Sequence, residues 1–405
     1  MTRNQSILVS VLLALGSGSA CLTARPAPKA AVQAPPTAQE VETSTPRGAS
    51  WPQATGVACR PKFASGVNIA WIHFANDVPN PDIAAFTSLF KNTYASGGRV
   101  IRWWFHTNGT VTPGYDATGL AKPISESDIA DVKKILDAAA AEHVMLTISI
   151  WSFDMLQGPQ SGQNIPPAVL DANLALLKQD VNRQAYIDRV LTPLVTALKG
   201  HPGLFSWEIF NEAEGMTRQH GWTYGKGGRQ VDRRVVQKCV NWFADAIHNA
   251  DPNALVTNAA WTFIANSNTG DYHNWYSDQA LIELGGKPKG TLDYYEVHYY
   301  DNWGKDNTIV SPFRHPASHW RLDDHKPLVI GEFWAIPTNG LRTEDLYTTL
   351  HDNGYDGAWA WQYWNADEPG PAGNPVTKWP AMKVPMERLK AAHAADVACP
   401  GEPAQ

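Results

Sequence analysis

Apolar residues along the 405-residue chain gather into short, nearly unbroken runs separated by longer stretches with helical spacing. Eight runs read as strands: Gly66–Phe74, Arg99–His106, Val144–Phe153, Leu204–Glu212, Leu255–Phe263, Leu292–Tyr300, Pro327–Trp334 and Asp356–Trp364. They are rich in Val, Ile, Trp, Tyr and Phe, and several are apolar throughout, as parallel strands covered on both faces should be. Between them, Asp128–His143, Ala168–Leu198, Val231–Ala250, Asp345–Asn353 and Pro385–Val397 carry apolar residues at helical spacing. The connection after the sixth strand is the weakest helix. Eight strand–helix rounds predict a single (β/α)8 barrel of the α/β class. An open doubly wound sheet would usually carry a Gly-rich phosphate loop after its first strand, and there is none.

The first sixty residues read differently. Arg3 precedes an apolar run, Ile7–Leu15, and then small residues lead to Ala20 and Cys21. This is the pattern of a secretory leader over residues 1–20. Cys21 matches a lipoprotein processing site, with Gly18 where Leu is usual; acylation of Cys21 and plain secretion both remain open. Residues 21–57 are rich in Pro, Ala and Thr and read as a tether, leaving 58–400 as the folded domain. On either reading the protein is exported. Cys59 and Cys399 stand at the two ends of that domain. Barrel closure juxtaposes its ends, so a Cys59–Cys399 disulfide is expected, the alternative being two free thiols.

Composition narrows the chemistry. A net charge of −6 gives no pull toward nucleic acid, and a monomer is expected. Seventeen tryptophans favour a ligand with flat apolar faces, such as a sugar ring. No HExxH, CxxC, EF-hand or G-x-S-x-G spacing occurs, so neither a metal, a cofactor nor an esterase elbow is indicated. The loops Asn266–Asn274 and Asp301–Asn307 carry oxygen ligands but read as solvated turns rather than calcium sites.

In such a barrel the chemistry lies at the C-terminal ends of strands. Glu212 ends the fourth strand and Glu332 the seventh, nearly opposite each other. Strand alternation points Glu208 and Glu212 the same way, Glu208 deeper. Two inward carboxyls there would approach to about 5–5.5 Å, the separation used in retaining glycoside hydrolysis.

Trp207-Glu-Ile-Phe-Asn-Glu212, His298-Tyr-Tyr300, Val329-Ile-Gly-Glu332, Trp361-Gln-Tyr363 and Ile101-Arg-Trp103 fall in the order and on the strands of the clan A glycoside hydrolases. Across the whole folded region the chain resembles family 5, which contains endo-β-mannanases and cellulases. The resemblance implies Glu212 as acid/base and Glu332 as nucleophile. It implies Arg102 beneath the nucleophile, Tyr300 as its hydrogen-bond donor and Asn211 at the sugar 2-hydroxyl. His298 would join the network around the acid, and Trp361 would form the platform under the cleaved sugar. Trp71, Trp103, Trp151 and Trp334, also near strand ends, are candidates for outer subsites.

The pattern departs from the family at Ala213, where Pro is usual. It departs again at Ser149-Ile-Trp-Ser-Phe-Asp154, where many members end the third strand in His. The expected activity is an exported, retaining endo-β-1,4-mannanase acting on a β-linked polysaccharide. A cellulase-like endo-β-1,4-glucanase, a non-catalytic polysaccharide-binding barrel and a lipid-tethered structural protein are the alternatives.

Overall fold

The computed structural model describes residues 50–52, 59–158, 163–301, 308–323, 325–363 and 379–399. The leader, most of the tether, the Asp301–Asn307 loop beyond its first residue and Trp364 lie outside the described residues.

Eight parallel strands close into a barrel in chain order. They are β1 (Ala64–Asn68), β2 (Val100–Thr107), β3 (Met145–Ser152), β4 (Leu204–Asn211), β5 (Val256–Ala260), β6 (Tyr295–His298), β7 (Leu328–Glu332) and β8 (Gly357–Ala360). β1 pairs with both β2 and β8, which completes the ring. Every strand residue is buried, because inward side chains fill the barrel and outward ones meet the helices.

The helices are α1 (Ile83–Ala95), α2 (Glu126–Ala141), α3 (Pro167–Lys178), α4 (Asp180–Tyr186), α5 (Thr192–Leu198), α6 (Arg233–Ala250), α7 (Asp278–Gly285), α8 (Leu346–Asp352), α9 (Trp379–Ala392) and α10 (Ala394–Val397). α2 shows why these segments are helical. Ser125 caps it by accepting from the Asp128 amide, Glu126 and Asp128 favour its positive end, and Val132, Ile135, Leu136 and Ala139 make one buried stripe.

Four segments differ from the sequence expectation. Ala168–Leu198 is three helices: the backbone turns extended at Gln179, and α4 reaches α5 through a π turn, Ile187–Leu191. Pro193 follows that turn; its ring has no N–H and cannot fit against an ordinary i−4 carbonyl. α1 and α7 carry narrow apolar stripes, with only Phe86, Phe90 and Thr93 buried in α1 and Leu281 in α7. Among the described residues, the β6–β7 connection holds a single 3₁₀ turn, Ala317–Trp320, in place of a helix.

The N-terminal end of the barrel is plugged. Trp51, inside the segment read as tether, packs edge-on to Phe205 and Tyr294 beneath the strands. Beside it Cys59 and Cys399 form the expected disulfide, with Cα atoms 5.4 Å apart. The Asn266–Asn274 loop is a turn exposed along its middle, at Asn268, Gly270, Asp271 and His273, and buried at its two ends. Asn266, Ser267 and Asn274 are buried, and the Asn268 and Asn274 side-chain oxygens accept from the amides of Asn274 and Tyr276.

Candidate active site

Arg102 organises the C-terminal end of the barrel. Its side chain is wholly buried and projects inward from β2. Nε and Nη2 donate to the two Glu208 oxygens at 2.5 and 2.7 Å, and Nη2 also donates to Asn211 Oδ1 at 2.8 Å. Nη1 donates to Glu332 Oε1 at 2.5 Å and to Asn68 Oδ1 at 3.0 Å. Asn68 Nδ2 in turn donates to the carbonyls of Gly331 and Trp359, so one amide ties β1, β7 and β8 to the guanidinium. A planar fork of five N–H donors suits this convergence of acceptors; a lysine ammonium would not.

Glu332 and Glu212 occupy unlike environments. Glu332 accepts from Arg102 through Oε1 and from the Tyr300 hydroxyl through Oε2 at 2.6 Å. Glu212 pairs through Oε1 with His298 Nδ1 at 2.8 Å. One oxygen of each acid and a ring nitrogen of His298 lie within 4.8 Å of one another. That spacing also suits a metal, but Arg102 and Tyr300 already occupy both Glu332 oxygens and the guanidinium supplies the local positive charge.

Burial raises the pKa of both acids. Arg102 and Tyr300 oppose this at Glu332 and hold it at about 7. At Glu212 the Glu332 charge adds to burial, and its carboxyl is pushed well above the usual range. Glu332 therefore ionises first and Glu212 keeps its proton. Burial, aided by Arg102, depresses His298, which stays a neutral imidazole. Tyr300 is raised well above its ordinary value, first by burial and then by Glu332, and remains a donor.

Local backbone departs from simple alternation here. Glu208 and Asn211 both reach Arg102 although three residues apart, and the β4–β5 register shifts between them. Glu212 then leaves the strand in the left-handed region, φ 46°, while its amide donates to the Ala259 carbonyl at 3.0 Å. A non-glycine residue held there stores strain that the surrounding structure must offset. Where the family usually has Pro, Ala213 opens a 3₁₀ turn that buries Glu214. At the end of β3, Ser152 accepts from Asn211 Nδ2 at 3.1 Å and donates to Asp154 at 2.6 Å, filling the place expected of a histidine.

The tryptophans divide by direction. Trp71, Trp104 and Trp361 form a cluster with ring centroids 5.3–5.8 Å apart, and the Arg102 guanidinium lies 5.4 Å from the Trp104 ring. Trp71 and Trp361 keep partly exposed faces. Trp334 is nearly covered and packs edge-on against Tyr300 at 4.9 Å. Trp103 and Trp151 are not subsite residues. Trp103, next to inward Arg102, points outward onto Phe86 of α1 and donates to Asp77 at 2.9 Å. Trp151 is fully buried against His106 and Tyr186 in the helix layer.

Three site residues escaped sequence reasoning: Asn68, which holds Arg102 from β1, Trp104 and Glu296. Trp104 shares the parity of Arg102, and counting two from that arginine finds it. Glu296, fully buried on β6, lies 3.1 Å from Arg102 Nε and 3.8 Å from His298 Nε2. Its carboxyl sits where a side chain on Gly331 would be, since a Cβ there would come within 2.2 Å of Glu296 Oε1. Burial and the neighbouring Glu208 raise its pKa well above the usual range.

The chain is similar to known proteins over most of its length. Residues 64–367 match the model of cellulase, glycosyl hydrolase family 5. The chain is 33% identical over 317 residues to a mannan endo-1,4-beta-mannosidase of Mytilus edulis, covering 74% of this chain and 83% of that one. Identity is also 33%, over 321 residues, to a mannan endo-1,4-beta-mannosidase of Cryptopygus antarcticus, at 74% and 80% coverage. In three dimensions it superposes on the beta-mannanase of blue mussel Mytilus edulis with a TM-score of 0.69 at 30% identity, over 81% of this chain and 92% of that one. For the endo-1,4-beta-mannanase of Eisenia fetida the TM-score is 0.70 at 28% identity, over 84% and 95%. With its barrel, its paired carboxyls and these matches, the chain belongs to glycosyl hydrolase family 5 and is a glycoside hydrolase.

Proposed function

We propose that the protein is an exported endo-β-1,4-mannanase that cleaves its polysaccharide with retention of configuration. The observation that carries the mechanism is the asymmetry between two carboxyls with oxygens within 4.8 Å: one stabilised as an anion by Arg102 and Tyr300, the other holding its proton beside neutral His298. Inverting enzymes need about 6.5–9.5 Å to admit a water between the acids. Ionised Glu332 attacks the anomeric carbon while Glu212 passes its proton to the departing sugar oxygen. The covalent ester removes the Glu332 charge, so the Glu212 pKa falls. Glu212 then takes a proton from water, and the resulting attack frees Glu332. Asn211 has one N–H beyond its bond to Ser152 for the sugar 2-hydroxyl. Trp361 offers a ring face to the cleaved sugar, with Trp71 beside it and Trp334 bracing Tyr300.

Mannan as substrate is supported by the names of the relatives at 33% identity. Export is supported by the leader pattern and by the Cys59–Cys399 disulfide, a bond that persists in oxidising compartments. Reducing-sugar release from mannan, glucomannan, cellulose and xylan, with the product anomer followed by NMR, tests the whole reading. Mannan cleavage giving the β-anomer first is expected. Preference for cellulose would replace the substrate, and an α-anomer would overturn the mechanism.

A further inference from the structure

At the N-terminal end of β1, away from the carboxyl pair, α8 meets the C-terminal segment through two histidines and two aspartates. His351 and Asp352 end α8; His393 separates α9 from α10, and Asp396 lies in α10. The His351 and His393 rings overlap with centroids 3.8 Å apart. His351 Nδ1 lies 3.0 Å from Asp352 Oδ1, and its Nε2 lies 3.1 Å from Asp396 Oδ2. A neutral imidazole has one N–H and one lone pair. With a carboxylate against each nitrogen, one contact would set the lone pair against negative charge. A cation coordinated by that nitrogen would turn the opposed pair into a bound one.

The surroundings favour a cation. One ring nitrogen from each histidine and an Asp396 oxygen lie within 4.8 Å of one another. Tetrahedral Zn2+ with ligands near 2.0–2.1 Å has ligand–ligand edges of roughly 3.3 Å. The Nε2–Oδ2 separation of 3.1 Å is already close to that edge. Asp352 Oδ1, 3.0 Å from His351 Nδ1 and 3.4 Å from His393 Nε2, supplies the outer carboxylate that fixes the tautomer and orientation of metal-binding imidazoles, leaving His393 Nδ1 for the ion. Lys62 takes the other Asp396 oxygen at 3.1 Å, leaving Oδ2 for the ion. His351, His393 and Asp396 are 20–28% exposed, so an ion can enter and a water can complete the shell.

We propose that His351, His393 and Asp396 bind a divalent transition cation, best matched by Zn2+, with Asp352 orienting His351. The ion joins α8 to the segment that also carries Cys399, and the Asp396 carbonyl accepts from the Phe63 amide at the start of the barrel. It is a structural clasp remote from the reaction.

Zn2+ titrated by calorimetry into the full chain after EDTA treatment should bind one ion per chain and raise Tm. His393→Gln and Asp396→Asn should each lose both effects, and Asp352→Asn should weaken binding about 10–100-fold. Retained glycanase activity in EDTA certifies that a variant is folded. Glu332→Gln should keep the stoichiometry, which separates this site from the carboxyl pair. The wild-type chain loaded with Co2+ should show the intense visible bands of tetrahedral coordination, a readout that needs no variant. Absence of saturable Zn2+ binding, binding that survives His393→Gln, or an octahedral Co2+ spectrum would overturn the proposal.

Discussion

Tyr300→Phe removes one oxygen and little else. The ring keeps its edge contact with Trp334, while Glu332 Oε2 loses a donor at 2.6 Å. Hydrogen bonds to a charged partner contribute about 1.5–3 kcal/mol. At 1.36 kcal/mol per pKa unit, losing this one raises Glu332 by about 1–2 units. The sign follows from which form is stabilised: Tyr300 donates to the carboxylate, so its loss favours the protonated acid. Glu332 starts at about 7 and must be ionised to attack. The acid limb of the kcat/KM profile should therefore move to higher pH by about 1–2 units. The alkaline limb, set by Glu212, should move less, so the bell narrows from its acid side and its maximum drops. Initial rates on an activated aryl β-mannoside across pH, with Tm measured alongside, give both limbs. An acid limb that stays put or moves to lower pH while kcat falls would show that Tyr300 does not act through the Glu332 charge.

Three further outcomes follow from the same geometry. Glu212→Ala should form the glycosyl-enzyme from an activated aryl glycoside and then stall, with azide relieving the stall to give a retained β-glycosyl azide; Glu332→Ala with azide should give only inverted product, and exchanged stereochemistry, read by NMR, would reverse the two roles. Glu332→Gln should be more stable than the native chain by an amount that grows as pH rises from about 4.5 to about 7 and then levels, because an acid whose folded pKa is raised weakens the fold progressively over that window; thermal melts across pH check it, and a gain confined to acid pH would contradict the burial argument. Trp361→Ala should cut kcat/KM strongly with little change in Tm, whereas Trp103→Ala should cost about 3–5 kcal/mol of stability with KM unchanged, measured by denaturation and kinetics.

Much of this molecule is determined by its sequence alone, and the reason is local. Eight apolar runs with amphipathic stretches between them have one economical closed solution, and Glu212 and Glu332 at strand ends have one place to go. Cys59 and Cys399 were legible as a pair because closing a barrel brings its first and last units together. Side-chain direction was not legible. β2 reads Val-Ile-Arg-Trp-Trp-Phe-His-Thr and is buried throughout, so no polar alternation marks which tryptophan turns inward. Arg102 alone sets the parity there: with its guanidinium aimed at Glu208 and Glu332, Trp104 follows it to the site and Trp103 turns to α1. The shift between Glu208 and Asn211 likewise defeats counting by twos. Glu296, between Tyr295 and Val297, carries no mark in the sequence that sets it apart from a surface acid. What makes it part of the site is the space left by Gly331 on the next strand. A strand buried on both faces records that it is buried but not which face each residue takes, and that choice is made by the neighbours it meets.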